Sequence, residues 1–347
     1  TNQATYVQLL NKQQELNIMK ASAQGNVRIV DHAFVPELPV APRKTLITLL
    51  SALVAGALAS VWCLFRENTR QGITSSDEIE ALDLEVSALV PYSKIQQKRD
   101  TLKRTLTSSN GRSSYLLANE NATDTAVEAI RALRTNIYFS MLDAKNNVLM
   151  ITGAAPEAGK SFISSNLATV IAQSGKKVLL IDADMRKGYL EQLFSTHVAP
   201  GLSELLSGEA SPVEAVQQTG IENLFFISHG NYTQSSSELL MNKRLSDLIE
   251  QASKRYDYVI IDTPPVLAVT DAAIVGQHVG MTLMVARYGY TTAQDLDNAA
   301  RRLVQSNINI KGVILNGIKR DAFNSYNCYS YGSYTAGSDK KAAKSKG

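Results

Sequence analysis

An apolar run, NVLMIT (147–152), leads straight into GAAPEAGKS (153–161) and then into FISSNLATVIAQ (162–173), and few folds accommodate that succession. The first piece reads as a short buried strand and the last as the helix that follows at once. Strand, glycine-punctuated loop and helix, in this order, make a phosphate-binding unit of the G-x-x-x-x-G-K-[ST] type. Gly153 and Gly159 can take backbone angles that a side chain forbids. Successive backbone N–H groups and the helix N-terminus then surround phosphate oxygens. Lys160 brings a point charge to the β- and γ-phosphates, and the Ser161 hydroxyl reaches Mg²⁺. The expected nucleotide-binding set is Gly153, Ala154, Ala155, Pro156, Glu157, Ala158, Gly159, Lys160, Ser161 and Phe162.

Five further strand candidates follow: KVLLID (177–182), NLFFIS (223–228), YVIID (258–262), MTLMVA (281–286) and KGVILN (311–316). Near-continuous Val/Ile/Leu runs suit strands covered on both faces. Alternating strands and helices predict an α/β fold with a doubly wound, mainly parallel sheet, whose ligands bind at the carboxyl ends of strands. Two of those ends carry carboxylates: LLIDADMR places Asp182 and Asp184 two apart, and VIIDTPP ends on Asp262. Hard oxygen ligands beside a phosphate loop are what an Mg²⁺–ATP site requires. Helix capping is the plainer reading for any single Asp, but it explains three Asp at two strand tips poorly.

A second feature divides the chain. TLITLLSALVAGALASVWCLF (45–65) runs 21 residues without a charge, about 30 Å as a helix and enough for a bilayer core. Basic residues flank both ends, but more lie downstream (Arg66, Arg70, Lys94, Lys98, Arg99, Lys103, Arg104), which favours a cytoplasmic C-terminal side. Upstream, Pro36, Pro39 and Pro42 stiffen the approach to the membrane. The chain opens inside a helical pattern, YVQLLNKQQELNIMKA, and is expected to be the C-terminal portion of a longer protein. A net charge of +3 gives no argument for nucleic acid. Cys63 and Cys328 read as free thiols, and the four scattered histidines carry no catalytic assignment.

Taken together, these residues resemble the bacterial tyrosine kinases of the Wzc-like family of capsule and exopolysaccharide export. The resemblance rests on the Pro-rich segment, the single span, GAAPEAGKS, LLIDADMR, VIIDTPP, a terminal tyrosine cluster, and EAIRALR, where Glu128, Arg131 and Arg134 fit an E-x-x-R-x-x-R oligomerisation motif. It implies that Lys160 and Ser161 hold phosphates and metal, that Asp182 is the candidate base for a tyrosine hydroxyl, and that Asp184 and Asp262 support the metal. It also implies a regulatory role for Tyr189 and, by analogy, an adenine contact for Asn316. Such kinases share the scaffold of Min/Par-type ATPases; H-R-D and D-F-G are absent here. Position 154 is Ala, and the extra signature lysine of Min/Par loops is missing.

These readings divide the chain into 1–44 (end of a periplasmic chain-length-determinant domain), 45–65 (transmembrane helix), 66–118 (juxtamembrane linker, with a small helix and strand expected in DEIEALDLEVSALVPYSK), 119–322 (P-loop kinase domain) and 323–347 (tail). The tail's YNCYSYGSY gathers Tyr326, Tyr329, Tyr331 and Tyr334 where they cannot be buried. These are the expected phosphoacceptors, modified in trans by a neighbouring subunit of a ring homo-oligomer. Expected partners are the membrane, the polysaccharide polymerase or export machinery and a cognate phosphatase, at a bacterial inner membrane with ATP and Mg²⁺ supplied from the cytoplasm. Two rivals remain: a Min/Par-type ATPase switch that transfers nothing to protein, and a structural co-polymerase with a vestigial nucleotide site.

Overall fold

In a computed structural model, the protein is described over residues 2–22, 44–69, 72–93, 95, 116–233, 235–319 and 323. It divides into two compact units, Thr1–Arg66 and Glu67–Gly347. The first contains the helix Asn2–Ser22 and most of the helix Lys44–Thr69. Leu46–Cys63 within the latter is long and apolar enough to cross a membrane, and none of that stretch is buried. The Pro-rich segment lies outside the described residues.

Among the described residues, the second unit is built on one eight-stranded sheet: β1 Val86–Pro91, β2 Val148–Gly153, β3 Val178–Asp182, β4 Gln217–Gln218, β5 Leu224–Ile227, β6 Tyr258–Asp262, β7 Met281–Arg287 and β8 Ile310–Ile318. The order is β1-β8-β7-β2-β6-β3-β5-β4, parallel throughout except where the two-residue β4 pairs antiparallel with β5. This is the doubly wound, mainly parallel α/β fold expected from the strand pattern.

Its energetics follow from strand alternation, which sends successive side chains to opposite faces. Met150, Leu179, Ile181, Val259 and Leu315 enter one core with the helices Lys243–Arg255, Asp271–Gly276 and Ala293–Gln305. Leu149, Ile151, Leu180, Ile260 and Val285 enter the other with the helices Thr125–Met141 and Lys160–Ala172. Covering both faces is why these strands read as continuous apolar runs.

One expectation needs correction. The stretch 66–118, assigned to a linker, supplies the edge strand β1, paired in parallel with β8. Ser93, just beyond it, donates to Asp124 Oδ2 (2.7 Å), while Asp124 caps the helix Thr125–Met141 by accepting from Ala126 N (2.8 Å). Further upstream, Ile73 N donates to the Thr291 carbonyl and Gly289 N to the Ile73 carbonyl, both at 2.8 Å. The domain therefore starts well before residue 119. A single short strand in a polar context gives little signal of the partner it finds about 227 residues away (Val86 against Val313), the largest separation among the paired strands.

Candidate nucleotide site

The site lies at the carboxyl ends of three adjacent strands, β2, β6 and β3. β2 delivers the phosphate loop. Counting back from Lys160 puts Ala154, not Gly153, at the first position of G-x-x-x-x-G-K-[ST], so the loop opens on alanine. Gly153 does not supply an unusual angle either; positive φ occurs at Glu157 (61°) and Gly159 (92°). Glycine at 153 answers close packing, because a Cβ there would lie 2.7 Å from the Val285 carbonyl oxygen of β7.

The base of the loop is tied to the chain following β6. The Gly153 carbonyl accepts from Val266 N (2.9 Å) and the Ala154 carbonyl from Leu267 N (3.3 Å). Thr263 Oγ1 donates to the Ile151 carbonyl (3.1 Å) and Thr152 Oγ1 to the Pro264 carbonyl (3.2 Å). Lys160 then opens a thirteen-residue helix capped by Gly159, whose free N–H groups and dipole favour an anion. The Lys160 side chain is buried. Burial lowers its pKa, while Asp262 and then Asp184 oppose that shift.

Two carboxylates face this loop. Asp182 and Asp262 are register partners on β3 and β6, and both are buried. Ser161 donates its hydroxyl to Asp262 Oδ2 at 2.6 Å, whereas the other oxygen, Oδ1, is buried with no hydrogen-bond partner. Asp182 accepts from Asp184 N (3.1 Å) and Leu190 N (3.3 Å), bracing the loop 183–190. Burial, then the neighbouring charge of Asp262, pushes the Asp182 carboxyl well above the usual range. Burial raises Asp262 to about 6, against the Ser161 hydrogen bond and the Lys160 charge, which lower it.

That orphan oxygen tests the fit of a divalent cation. A buried carboxylate oxygen beside a serine hydroxyl is a hard donor pair that suits Mg²⁺. Among the described residues, no three His, Cys, Asp or Glu side chains gather closely enough to hold a metal by themselves. Mg²⁺ in such sites takes one or two protein ligands and completes its shell with waters and substrate phosphates, so the residues present fit that group.

The remaining sequence-derived residues separate into two sets. Near the loop, Phe162 is half-buried, and Asn316 Nδ2 donates to the Ala158 carbonyl at 3.1 Å. The half-buried Asp184 spends Oδ1 on a local turn, accepting from Lys187 N (2.9 Å) and Arg186 N (3.3 Å). Tyr189 is exposed at the end of that turn. Away from the loop, Glu128 and Arg131 form an ion pair on the helix Thr125–Met141, and Arg131 also donates to the Ala122 carbonyl (2.9 Å); Arg134 lies one turn further on. Tyr326, Tyr329, Tyr331 and Tyr334 lie outside the described residues.

Sequence reasoning missed Arg287, which closes β7 and donates to the Glu157 carbonyl at 3.1 Å. The strand candidate ended one residue short of it. Inspecting the residue just past each apolar run, as was done for the Asp-tipped strands, is the signal that finds it.

Comparison with known proteins gives a consistent set of matches. Residues 1–68 match a family model described as "G-rich domain on putative tyrosine kinase", and residues 148–311 match one described as an AAA domain. The tyrosine-protein kinase wzc of Salmonella typhi is 47% identical over 341 residues, covering 98% of this chain and 47% of that protein. The chain thus spans about half the length of the curated relatives it matches. The solved kinase domain of the Escherichia coli tyrosine kinase ETK is 45% identical at a TM-score of 0.67, covering 72% of this chain and 96% of that one. The BceF tyrosine kinase domain is 46% identical at the same TM-score, covering 72% and 100%.

Proposed function

Because the chain belongs to the family of Wzc-like bacterial tyrosine kinases, we propose that it transfers the γ-phosphoryl group of ATP to tyrosines of its own C-terminal tail. The observation that carries this reading is the Ser161–Asp262 hydrogen bond of 2.6 Å beside the buried Lys160, which joins the phosphate loop to an Asp-tipped strand.

Lys160 and the N–H groups of the loop hold the β- and γ-phosphates and withdraw charge from them. Ser161 and Asp262 are the residues that would hold Mg²⁺, with Asp184 in support; when bound, the ion neutralises charge between the phosphates. Asp182 takes the proton of the incoming phenol. The phenolic oxygen bonds to the γ-phosphorus, the bond from that phosphorus to the β–γ bridging oxygen breaks, and ADP leaves with the electron pair. A phenol ionises near pH 10, so a carboxylate whose pKa is raised by burial is a better matched base than an exposed one.

Tyr326, Tyr329, Tyr331 and Tyr334 are the proposed acceptors, with Tyr189, exposed after the turn that follows β3, as a regulatory tyrosine. Glu128, Arg131 and Arg134 would assemble copies into a ring, so that one protomer's tail enters its neighbour's site. The helix Lys44–Thr69 would span the bacterial inner membrane, leaving the kinase domain cytoplasmic and the N-terminal part periplasmic. In that setting the modification state of the tail would regulate capsular or exopolysaccharide polymerisation and export, with a phosphatase resetting it. Mass spectrometry of the full chain in detergent, after incubation with Mg²⁺–ATP, tests the activity. Phosphate on the tail tyrosines of wild type and not of Lys160→Met is expected. Normal ATP hydrolysis with every tail tyrosine bare would identify an ATPase switch instead.

A further inference from the structure

The phosphate loop is gripped from outside by two side chains. Arg287 on β7 and Asn316 on β8 are register partners. Arg287 Nη1 donates to the Glu157 carbonyl and Asn316 Nδ2 to the Ala158 carbonyl, each at 3.1 Å. Two consecutive carbonyls of the loop are therefore drawn toward neighbouring strands. A trans peptide plane carries its C=O and its N–H in opposite directions. Fixing the carbonyls of Glu157 and Ala158 thus fixes the N–H groups of Ala158 and Gly159 on the other side of the loop. Glu157 and Gly159 both hold positive φ, as in the backbone concavities that bind anions. For a glutamate that conformation is unfavourable, so something beyond the loop has to maintain it.

We infer that Arg287 and Asn316 are positioning residues for the nucleotide's phosphates, holding two loop carbonyls outward so that the Ala158 and Gly159 N–H groups meet phosphate oxygens. The inference rests on the nucleotide reading above and specifies which residues set phosphate affinity. Arg287 reaches the loop from a firm support. Its own N–H donates to Thr291 Oγ1 (2.9 Å), and the turn that follows is pinned to Ile73 on both edges. Its guanidinium lies 5.5 Å from the centre of the Tyr290 ring, a cation–π contact that limits its freedom. Asn316 fits closely as well, since a Cβ at position 159 would lie 2.0 Å from its Nδ2. An adenine contact and a loop-carbonyl contact differ in which part of the nucleotide loses affinity when Asn316 is removed.

Calorimetric titration of the full chain in detergent with ADP, pyrophosphate and adenosine, alongside thermal melting, separates these cases. Arg287→Ala and Asn316→Ala are expected to weaken ADP and pyrophosphate by about tenfold or more, with adenosine binding unchanged. Arg287→Lys should recover part of the loss, because one donor suffices for one carbonyl. If Arg287→Ala does not fold, Tyr290→Leu should give a smaller loss in the same direction. Wild-type ADP affinity in a folded Arg287→Ala protein, or in Tyr290→Leu when that variant has to stand in, would overturn the assignment of Arg287. Equal losses of ADP and adenosine in Asn316→Ala would overturn that of Asn316. A wild-type protein that binds no ADP would remove the nucleotide reading and this inference with it.

Discussion

Asp182 and Asp262 stand opposite each other at the ends of adjacent parallel strands, both buried and both with carboxyl pKa values raised by that burial. Two buried carboxylates side by side repel when both are ionised, so each disfavours the charge of the other.

A pH dependence follows. The Asp262 carboxyl titrates near 6 in the fold against a usual 3.8. The folded state therefore binds more protons than the unfolded state between those values, and stability falls as pH rises through that window. Asp262→Asn removes this liability. It should raise the stability of the metal- and nucleotide-free protein at pH 8 by on the order of 2 kcal/mol, with little effect at pH 4. It should also abolish tail phosphorylation. Melting curves at the two pH values check the first outcome, and a difference of equal size at both would contradict the assignment.

Lys160 is the counterpart. Burial lowers its pKa, so its charge depends on nearby anions, and a bound polyphosphate supplies them. Lys160→Met should reduce phosphotyrosine formation by on the order of 10² to 10³, the scale for removing one preorganised charge-stabilising group. Initial-rate measurements with labelled ATP read this directly. A loss below tenfold would move the main phosphate contact elsewhere.

Gly72 tests the upstream limit of the domain. A Cβ there would lie 2.3 Å from Gly289 C and Tyr290 N, both backbone atoms that cannot rotate away. Gly72→Ala should cost about 1 to 3 kcal/mol, the range for overpacked sites. Denaturant titration of the full chain measures it, and an unchanged midpoint would show that residues 72 and 73 do not hold the turn 287–292.

The tail yields a prediction about assembly. Each phosphate adds roughly −1.5 to −2 charges, so four add roughly −6 to −8, only partly offset by Lys340, Lys341, Lys344 and Lys346. If copies assemble into the proposed ring with tails in neighbouring sites, repulsion should release the tails and loosen it. Light scattering of the detergent-solubilised chain before and after phosphatase treatment should show the larger assembly only after phosphate removal. Replacing all four tail tyrosines with phenylalanine should lock that larger state.

Much of this protein is written locally. Short Val/Ile/Leu runs fixed the strands because both sheet faces are covered, and an uncharged run of 21 residues fixed the long apolar helix. Lys160, Ser161, Asp182 and Asp262 could be named because each sits at the tip of a run, where a parallel sheet concentrates its ligand-facing groups. Tertiary structure decided what depends on partners distant in the chain. β1 joins the sheet only because β8 offers an edge; Gly153 is required by the Val285 carbonyl; Arg287 and Asn316 meet the loop only because β7 lies beside β2 and β8 beside β7. A sequence specifies which groups a segment carries and how often they recur, whereas the distance between two groups on different segments is set by the packing of everything between them.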